Sequence, residues 1–214
     1  MKNLDYREYY RRNLPHIQPG GASFLVNFRL AGSLPKEVLE KLRAEAEELE
    51  RKIGEIKEPD KQLVLREKKQ GILFGKWDDA IHRSCTGYFW LKEDRIAEIV
   101  AGSIQYHDGE WFDLQAYCIM PNHCHIVLRP LRKAGDDDHG LTQITHNIKR
   151  NSAFQANAIL GRSGTFWQHE SYDHYARNEV ELQRIIKYVL QNPVKAGLVT
   201  NWQDWKWTYC KYDL

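Results

Sequence analysis

Cysteine is scarce in this chain: four residues in 214, Cys85, Cys118, Cys124 and Cys210, with no Cys-x-x-Cys pair. That is too few for a disulfide scaffold at this length and points to a reducing compartment. Long apolar runs are missing as well. None approaches the roughly 18 residues of a membrane span, so no membrane partner is expected. The opening segment, MKNLDYREYYRRNLPH, lacks the apolar stretch of a secretory signal, and we expect a cytoplasmic location. There is no surplus of one charge either, with 31 Lys and Arg against 29 Asp and Glu. This excludes binding of nucleic acid by bulk positive charge, but not a focused site for it. Internal repeats and low-complexity linkers are also absent. What is present is the material of a core: 42% hydrophobic residues and seven Trp describe a globular chain.

Residues 23–31, SFLVNFRLA, alternate Phe24, Val26 and Phe28 with Leu25, Asn27 and Arg29 and predict a buried strand. Residues 33–58 predict a helix, with Ser33 as N-cap and Pro35 in the first turn. Its apolar stripe runs through Val38, Leu42, Ala46, Leu49 and Ile53. Residues 36–70 hold ten basic and ten acidic groups, the pattern of a solvated helical face. Residues 71–92 are mixed. A helix is expected over 93–106 and strands over 110–120 and 123–130, around a turn at Met120-Pro121-Asn122. A loop follows at 131–140, then a helix at 141–160 with Phe154 on its apolar side, and a strand at 165–177. A last helix, 179–192, is stopped by Pro193. Without 33–92 the order is β α β β α β α. This is an α+β class: a ferredoxin-like antiparallel sheet (βαββαβ) with an additional C-terminal helix and a helical insertion after the first strand. We expect one domain over 1–214, ending in a Trp-rich tail at 200–214.

Two constellations carry chemistry. His123 and His125 lie two apart on a predicted strand, so both imidazoles face one side, about 6.5–7 Å apart at Cα. Cys124, Ile126 and Leu128 then face the helices. Two imidazoles on one face can bind one divalent ion; a zinc site using Cys124 is disfavoured by the same alternation. Tyr188 and Asn192 are four apart on the last helix and share a face. Asn192 offers a carbonyl oxygen to a hard cation, and Tyr188 offers a hydroxyl nucleophile. Together they suggest phosphodiester chemistry: a metal polarises the phosphate and tyrosine attacks phosphorus.

The segments R-x-LPH (12–16), FLVNFRLAGSLP (24–35), YCIMPNHCHIVLRP (117–130), FWQHESYDHYAR (166–177) and YVLQNPVKAGLV (188–199) resemble the REP-associated tyrosine transposases. These are HUH-superfamily single-strand nucleases, close to the single-tyrosine transposases of the insertion-sequence-200-like group. The resemblance implies the ferredoxin-like fold, His123, His125 and Asn192 as ligands of Mg²⁺ or Mn²⁺, and Tyr188 as the catalytic nucleophile that becomes linked to a DNA 5′ phosphate. It implies a substrate of single-stranded DNA beside an imperfect hairpin, cleavage that leaves a 3′ hydroxyl, and a nucleoid location when bound. Relatives of this kind include monomers and homodimers, and nothing in the sequence decides between them. Two departures stand out: Cys124 between the histidines, and a long, charged 33–75 region.

Further DNA-contact candidates are Lys149 and Arg150 on the 141–160 helix, Asp173 and His174 on the following strand, Arg11 and Arg12 in the basic-aromatic tail, and Trp202 and Trp205 for base stacking. The rival reading from another class is a domesticated hairpin-DNA-binding protein without turnover. A third is a zinc-dependent structural module. The net charge is unevenly spread. Residues 1–35 carry five basic and two acidic groups, and 139–214 carry nine and six. Residues 71–138 carry seven basic and eleven acidic. DNA contact is therefore expected in the tail and around Tyr188.

Overall fold

The computed structural model describes residues 9–11, 15–17, 20–84, 86–131 and 139–213. In chain order the elements are β1 (Tyr9–Arg11), β2 (Pro15–Ile17), β3 (Phe24–Arg29), α1 (Lys36–Gly54), α2 (Pro59–Arg83), α3 (Asp94–Gln105), β4 (Phe112–Ile119), β5 (His123–Pro130), α4 (Leu141–Ile159), β6 (Tyr172–Tyr175), α5 (Glu179–Leu190), α6 (Asn192–Lys195) and β7 (Thr208–Cys210). They divide into two compact units. One takes the described residues up to Ala31 and from Phe89 onward, and the other takes Gly32–Tyr88. Among the described residues no helix is long and apolar enough to cross a membrane.

The first unit is built on a five-stranded sheet, ordered β6-β3-β5-β4-β7, with every neighbouring pair antiparallel. Its first four strands, with α3 and α4 as crossovers, are the expected βαββαβ arrangement. Phe24, Val26 and Phe28 of β3 and Cys124, Ile126 and Leu128 of β5 enter one apolar cluster with Ile96, Val100 and Ile104 of α3 and Ile144 and Ile148 of α4. No α5 residue belongs to that cluster, and α5 instead packs against β4, β5 and β7. The sheet is thus covered on both sides, by α3 and α4 on one and by α5 on the other.

Several boundaries differ from the sequence expectation. The strand expected at 165–177 is split into an isolated bridge of Trp167 to Leu30 and β6 over Tyr172–Tyr175, and Lys149 Nζ, donating to the carbonyls of Gln168 (2.6 Å) and His169 (2.9 Å), holds the stretch between them as a loop. Phe154 is 79% exposed rather than on the apolar side of α4. The last helix ends at Leu190, and Pro193 does not stop it. Instead Pro193 opens the separate short turn α6, where its missing N–H costs nothing. β4 carries an irregularity between Leu114 and Ala116. That extra residue keeps both Phe112-Leu114 and Tyr117-Ile119 in the helix-side core.

The second unit is a helical hairpin of α1 and α2. Ser33 is not the N-cap of α1; Pro35 holds that position, with no side-chain cap. Residues 71–83, read as mixed, continue α2, which Pro59 opens at its first turn. Glu50 of α1 accepts from Arg66 Nε (3.0 Å) and Lys69 Nζ (2.5 Å) of α2, and Glu45 accepts from Lys76 Nζ (2.6 Å). The two ends of the unit meet at Gly87, whose φ is +88°. A Cβ there would lie 2.2 Å from the Gly32 carbonyl oxygen, so only glycine fits.

Candidate active site

The face of the sheet under α5 buries a group of polar side chains next to the apolar pair Leu25 and Val127. In register, Asn27 lies opposite His125 and Arg29 opposite His123, so all four side chains share that side. Each is buried, His125 completely. The two imidazoles converge, with Nε2 of His123 and Nε2 of His125 3.0 Å apart. Asn122 Oδ1 stands 2.7 Å from His123 Nδ1 and accepts its proton. That hydrogen bond fixes the tautomer and leaves the His123 Nε2 lone pair pointing at His125.

Tyr188 reaches this pair from α5. Its ring meets the His125 ring edge-on, with centroids 5.9 Å apart and planes at 89°. Leu182, Ile185, Ile186, Val189 and Leu190 bury the inner side of α5. Its N-terminus is capped reciprocally: Asn178 Oδ1 accepts from Glu181 N (2.9 Å), and Glu181 Oε2 accepts from Arg177 N (3.0 Å). Glu181 also holds His174 Nε2 at 3.1 Å. Burial pushes the Glu181 carboxyl up, but its hydrogen bonds from Arg177 and His174 outweigh that and hold it below the usual carboxylate range.

Asn192 is fully buried at the start of α6. Its Nδ2 donates to the carbonyls of Tyr188 (2.9 Å) and Val189 (3.3 Å). Both amide protons are thereby directed at α5, and Oδ1 is left buried with no partner among the described residues. An orphaned buried carbonyl oxygen costs free energy unless a ligand or ion completes it.

The structure brings together His123, His125 and Tyr188, with Asn192 bonded to the last turn of the tyrosine's helix. It separates others from them. Asp173 pairs with Val26, so it lies on the α4 side of the sheet, opposite the histidines. There it joins Lys149 and Arg150 in lining a cavity of about 360 Å³. Lys149 is occupied with the 168–171 loop, donating also to Ser171 Oγ (3.2 Å). That is a structural role and not an open phosphate contact. Arg150 is exposed. His174 is on the histidine side but on the edge strand, held by Glu181. Trp205 donates its indole N–H to the Ile119 carbonyl (2.9 Å), and Trp202 is half-buried in a 3-10 turn beside α6. The Trp-rich tail therefore packs onto the sheet, extending it with β7. Arg12 lies outside the described residues, as does the Arg11 side chain. Cys124 points into the helix-side core, where burial pushes its thiol well above the ordinary value, which runs against a zinc-thiolate site.

The sequence reading passed over several residues. Asn122 was part of the turn signal. Asn27 and Arg29 occupy the polar half of the β3 alternation, which was the available clue. In the second unit Asp78 and His82, four apart on α2, each carry an atom able to ligate a metal, and His82 Nδ1 lies 3.2 Å from Asp78 Oδ2. Their Asp-x-x-x-His spacing was visible but was hidden in a segment not read as helix.

No family model matches the chain. It is 29% identical over 104 residues to a protein named REP-associated tyrosine transposase from Haemophilus influenzae, covering 45% of this chain and 58% of that one. It is 29% identical over 94 residues to a REP-associated tyrosine transposase from Escherichia coli, covering 44% and 52%. The matches span little more than half the length of either relative. A solved structure of a REP-associated tyrosine transposase bound to a REP hairpin superimposes with a TM-score of 0.51 at 16% identity, over 93% of this chain and 80% of that one. The family likeness read from the sequence is thus met at two levels: partial sequence similarity to proteins named REP-associated tyrosine transposase, and a fold shared with a solved structure of that name.

Proposed function

We propose that the chain is a metal-dependent single-stranded DNA endonuclease and strand transferase. It acts beside hairpins like those of REP elements, through a covalent 5′-phosphotyrosine. On this reading the first unit is the HUH-type domain and the second is an insertion in it. The observation that carries the reading is the edge-on packing of Tyr188 against His125, two residues far apart in sequence that this chemistry needs side by side.

His123, His125 and Asn192 would hold Mg²⁺ or Mn²⁺, and the donor set fits. The two ring nitrogens already converge, 3.0 Å apart, as two ligands of one ion must. The buried Asn192 oxygen supplies a third, neutral donor. When bound, such an ion polarises the scissile phosphate and offsets charge on its oxygens. The chain's own residues do the rest. Asn122 keeps the His123 lone pair forward. Asn192, through its two amide bonds, keeps the end of α5 and hence Tyr188 in register. Tyr188 Oη attacks phosphorus, the P–O3′ bond breaks, and the 3′ oxygen leaves and takes up a proton while the phenol proton goes to solvent. Attack by an incoming 3′ hydroxyl reverses these steps and joins a new strand.

The test is a denaturing gel of the full chain incubated with a hairpin oligonucleotide bearing single-stranded flanks, in Mn²⁺ or Mg²⁺. A covalent adduct that vanishes in Tyr188→Phe is expected. Adduct formed by Tyr188→Phe overturns the nucleophile. Hairpin binding without cleavage in any divalent metal replaces this reading with that of a binder without turnover.

A further inference from the structure

Lys195 stands over the proposed nucleophile. Its Nζ lies 4.2 Å from the centre of the Tyr188 ring. The side chain is exposed, and among the described residues no carboxylate pairs with it. Some other cations of this unit are paired, Lys206 with Asp94 and Arg129 with Asp113, but Lys195 is the one held over the tyrosine ring. The backbone beneath Lys195 is fixed. Lys195 N donates to the Gln191 carbonyl (2.9 Å), Leu198 N donates to the Pro193 carbonyl (2.9 Å), and Gly197 closes the turn at φ +67°. The same four-residue turn therefore carries both Asn192, bonded to the end of the tyrosine's helix, and an ammonium over the tyrosine ring.

We propose that Lys195 is a catalytic residue that grips a non-bridging oxygen of the phosphate Tyr188 attacks. The proposal rests on Tyr188 being the nucleophile. A phosphate poised for attack sits about 3–3.5 Å from the phenol oxygen. From its place over the same ring, an ammonium on a flexible four-carbon stem reaches that phosphate by torsions of its own side chain. Before DNA arrives, the ring face holds the ammonium by a cation–π contact. When phosphate arrives, a charge-assisted hydrogen bond replaces it. As the phosphorus becomes five-coordinate, negative charge grows on its outer oxygens, so the contact strengthens along the reaction and acts mainly on kcat.

The experiment compares the wild type with Lys195→Met and Lys195→Arg, each as the full chain with Mn²⁺ and a flanked hairpin oligonucleotide. Rates of adduct formation and the salt dependence of binding are measured, the latter in a Tyr188→Phe background to prevent cleavage. Lys195→Met should slow adduct formation about tenfold to a hundredfold, mostly in kcat. It should lower the slope of log K against log salt by about 0.7, the value of one lost single-strand phosphate contact. Lys195→Arg should restore the slope and most of the rate. A residue that merely supports the tyrosine ring would leave the slope unchanged. An unchanged slope and rate in Lys195→Met overturns this proposal while the nucleophile stands. Absence of any wild-type adduct overturns both.

Discussion

The two faces of the one sheet use the same strands for different ends. On the α3–α4 side, β3 and β5 present Phe24, Val26, Phe28, Cys124, Ile126 and Leu128 to a fully apolar cluster. On the α5 side the intervening positions bury four polar groups, Asn27, Arg29, His123 and His125, beside the apolar pair Leu25 and Val127. Burial without charge or hydrogen-bonding need supplies stability. Burial of polar groups costs free energy unless each is satisfied, and it is kept where the groups do chemistry. The period-two alternation of a strand lets one eight-residue segment serve both ends, with the rigid apolar side holding the imidazoles in place.

The comparison is broken most severely at the proposed nucleophile. Tyr188→Phe should abolish the covalent DNA adduct while leaving the denaturation midpoint nearly unchanged, because the half-buried ring keeps its packing. One residue along from the histidines, on the other face, the outcome should invert. Ile126→Ala removes fully buried methylenes and should cost about 2–5 kcal/mol. Adduct formation per folded molecule should persist. Urea denaturation set beside the gel assay checks both. A large activity loss in folded Ile126→Ala would show that the faces are not separable in this way.

The same alternation decided what the sequence could reveal. His-x-His on β5 fixed the facing of both imidazoles and of Cys124 because a strand has only two sides. Tyr188 and Asn192 were legible as helical neighbours, although they belong to two helices, because Gln191 between them keeps helical backbone angles. The irregularity in β4 was not legible. It depends on register with β5 and β7, and without it the spacing of Leu114 and Tyr117 defeats a simple alternation. Nor was α2. Gly71 and Gly75 lower its helix propensity, and Leu63, Val64 and Ile72 remain exposed, so its periodicity is blurred. Asp173 and His174 looked like one polar pair in sequence. As strand neighbours they point to opposite faces, and only the pairing with Val26 and Leu25 says which is which.

A smaller effect is expected one position before the strand. Asn122→Leu leaves the His123 Nδ1 proton without its acceptor, so the ring loses its tautomer bias and some of its orientation. Outer hydrogen bonds of this kind are worth about 10–100-fold in metal affinity. Mn²⁺ binding followed by electron paramagnetic resonance should weaken by that range. In metal-free protein, ¹⁵N NMR of His123 should change from one tautomer to a mixture. If the wild-type ring already shows a mixture, Asn122 does not set it.

The mildest expected difference between the faces is in acid. Glu181 caps α5 and binds His174, and its carboxyl is held below the ordinary value in the fold. The folded chain therefore holds on to fewer of its protons than the unfolded chain in that range, so Glu181 contributes stability above the usual carboxylate value of about 4.3. That contribution is lost as pH falls through the depressed folded value. On the opposite face α3 and α4 are held by the apolar cluster, and the buried carboxylate there, Asp173, sits on the edge strand and caps neither helix. Acidification should then loosen α5, and with it Tyr188, before α3 and α4. Hydrogen exchange at pH 7 and pH 4 should show protection of α5 amides falling first. Glu181→Gln should cost about 0.5–1 kcal/mol at neutral pH and progressively less in acid. A deficit that stays constant with pH would mean that the cap acts through its geometry alone and that its charge plays no part in seating the tyrosine helix.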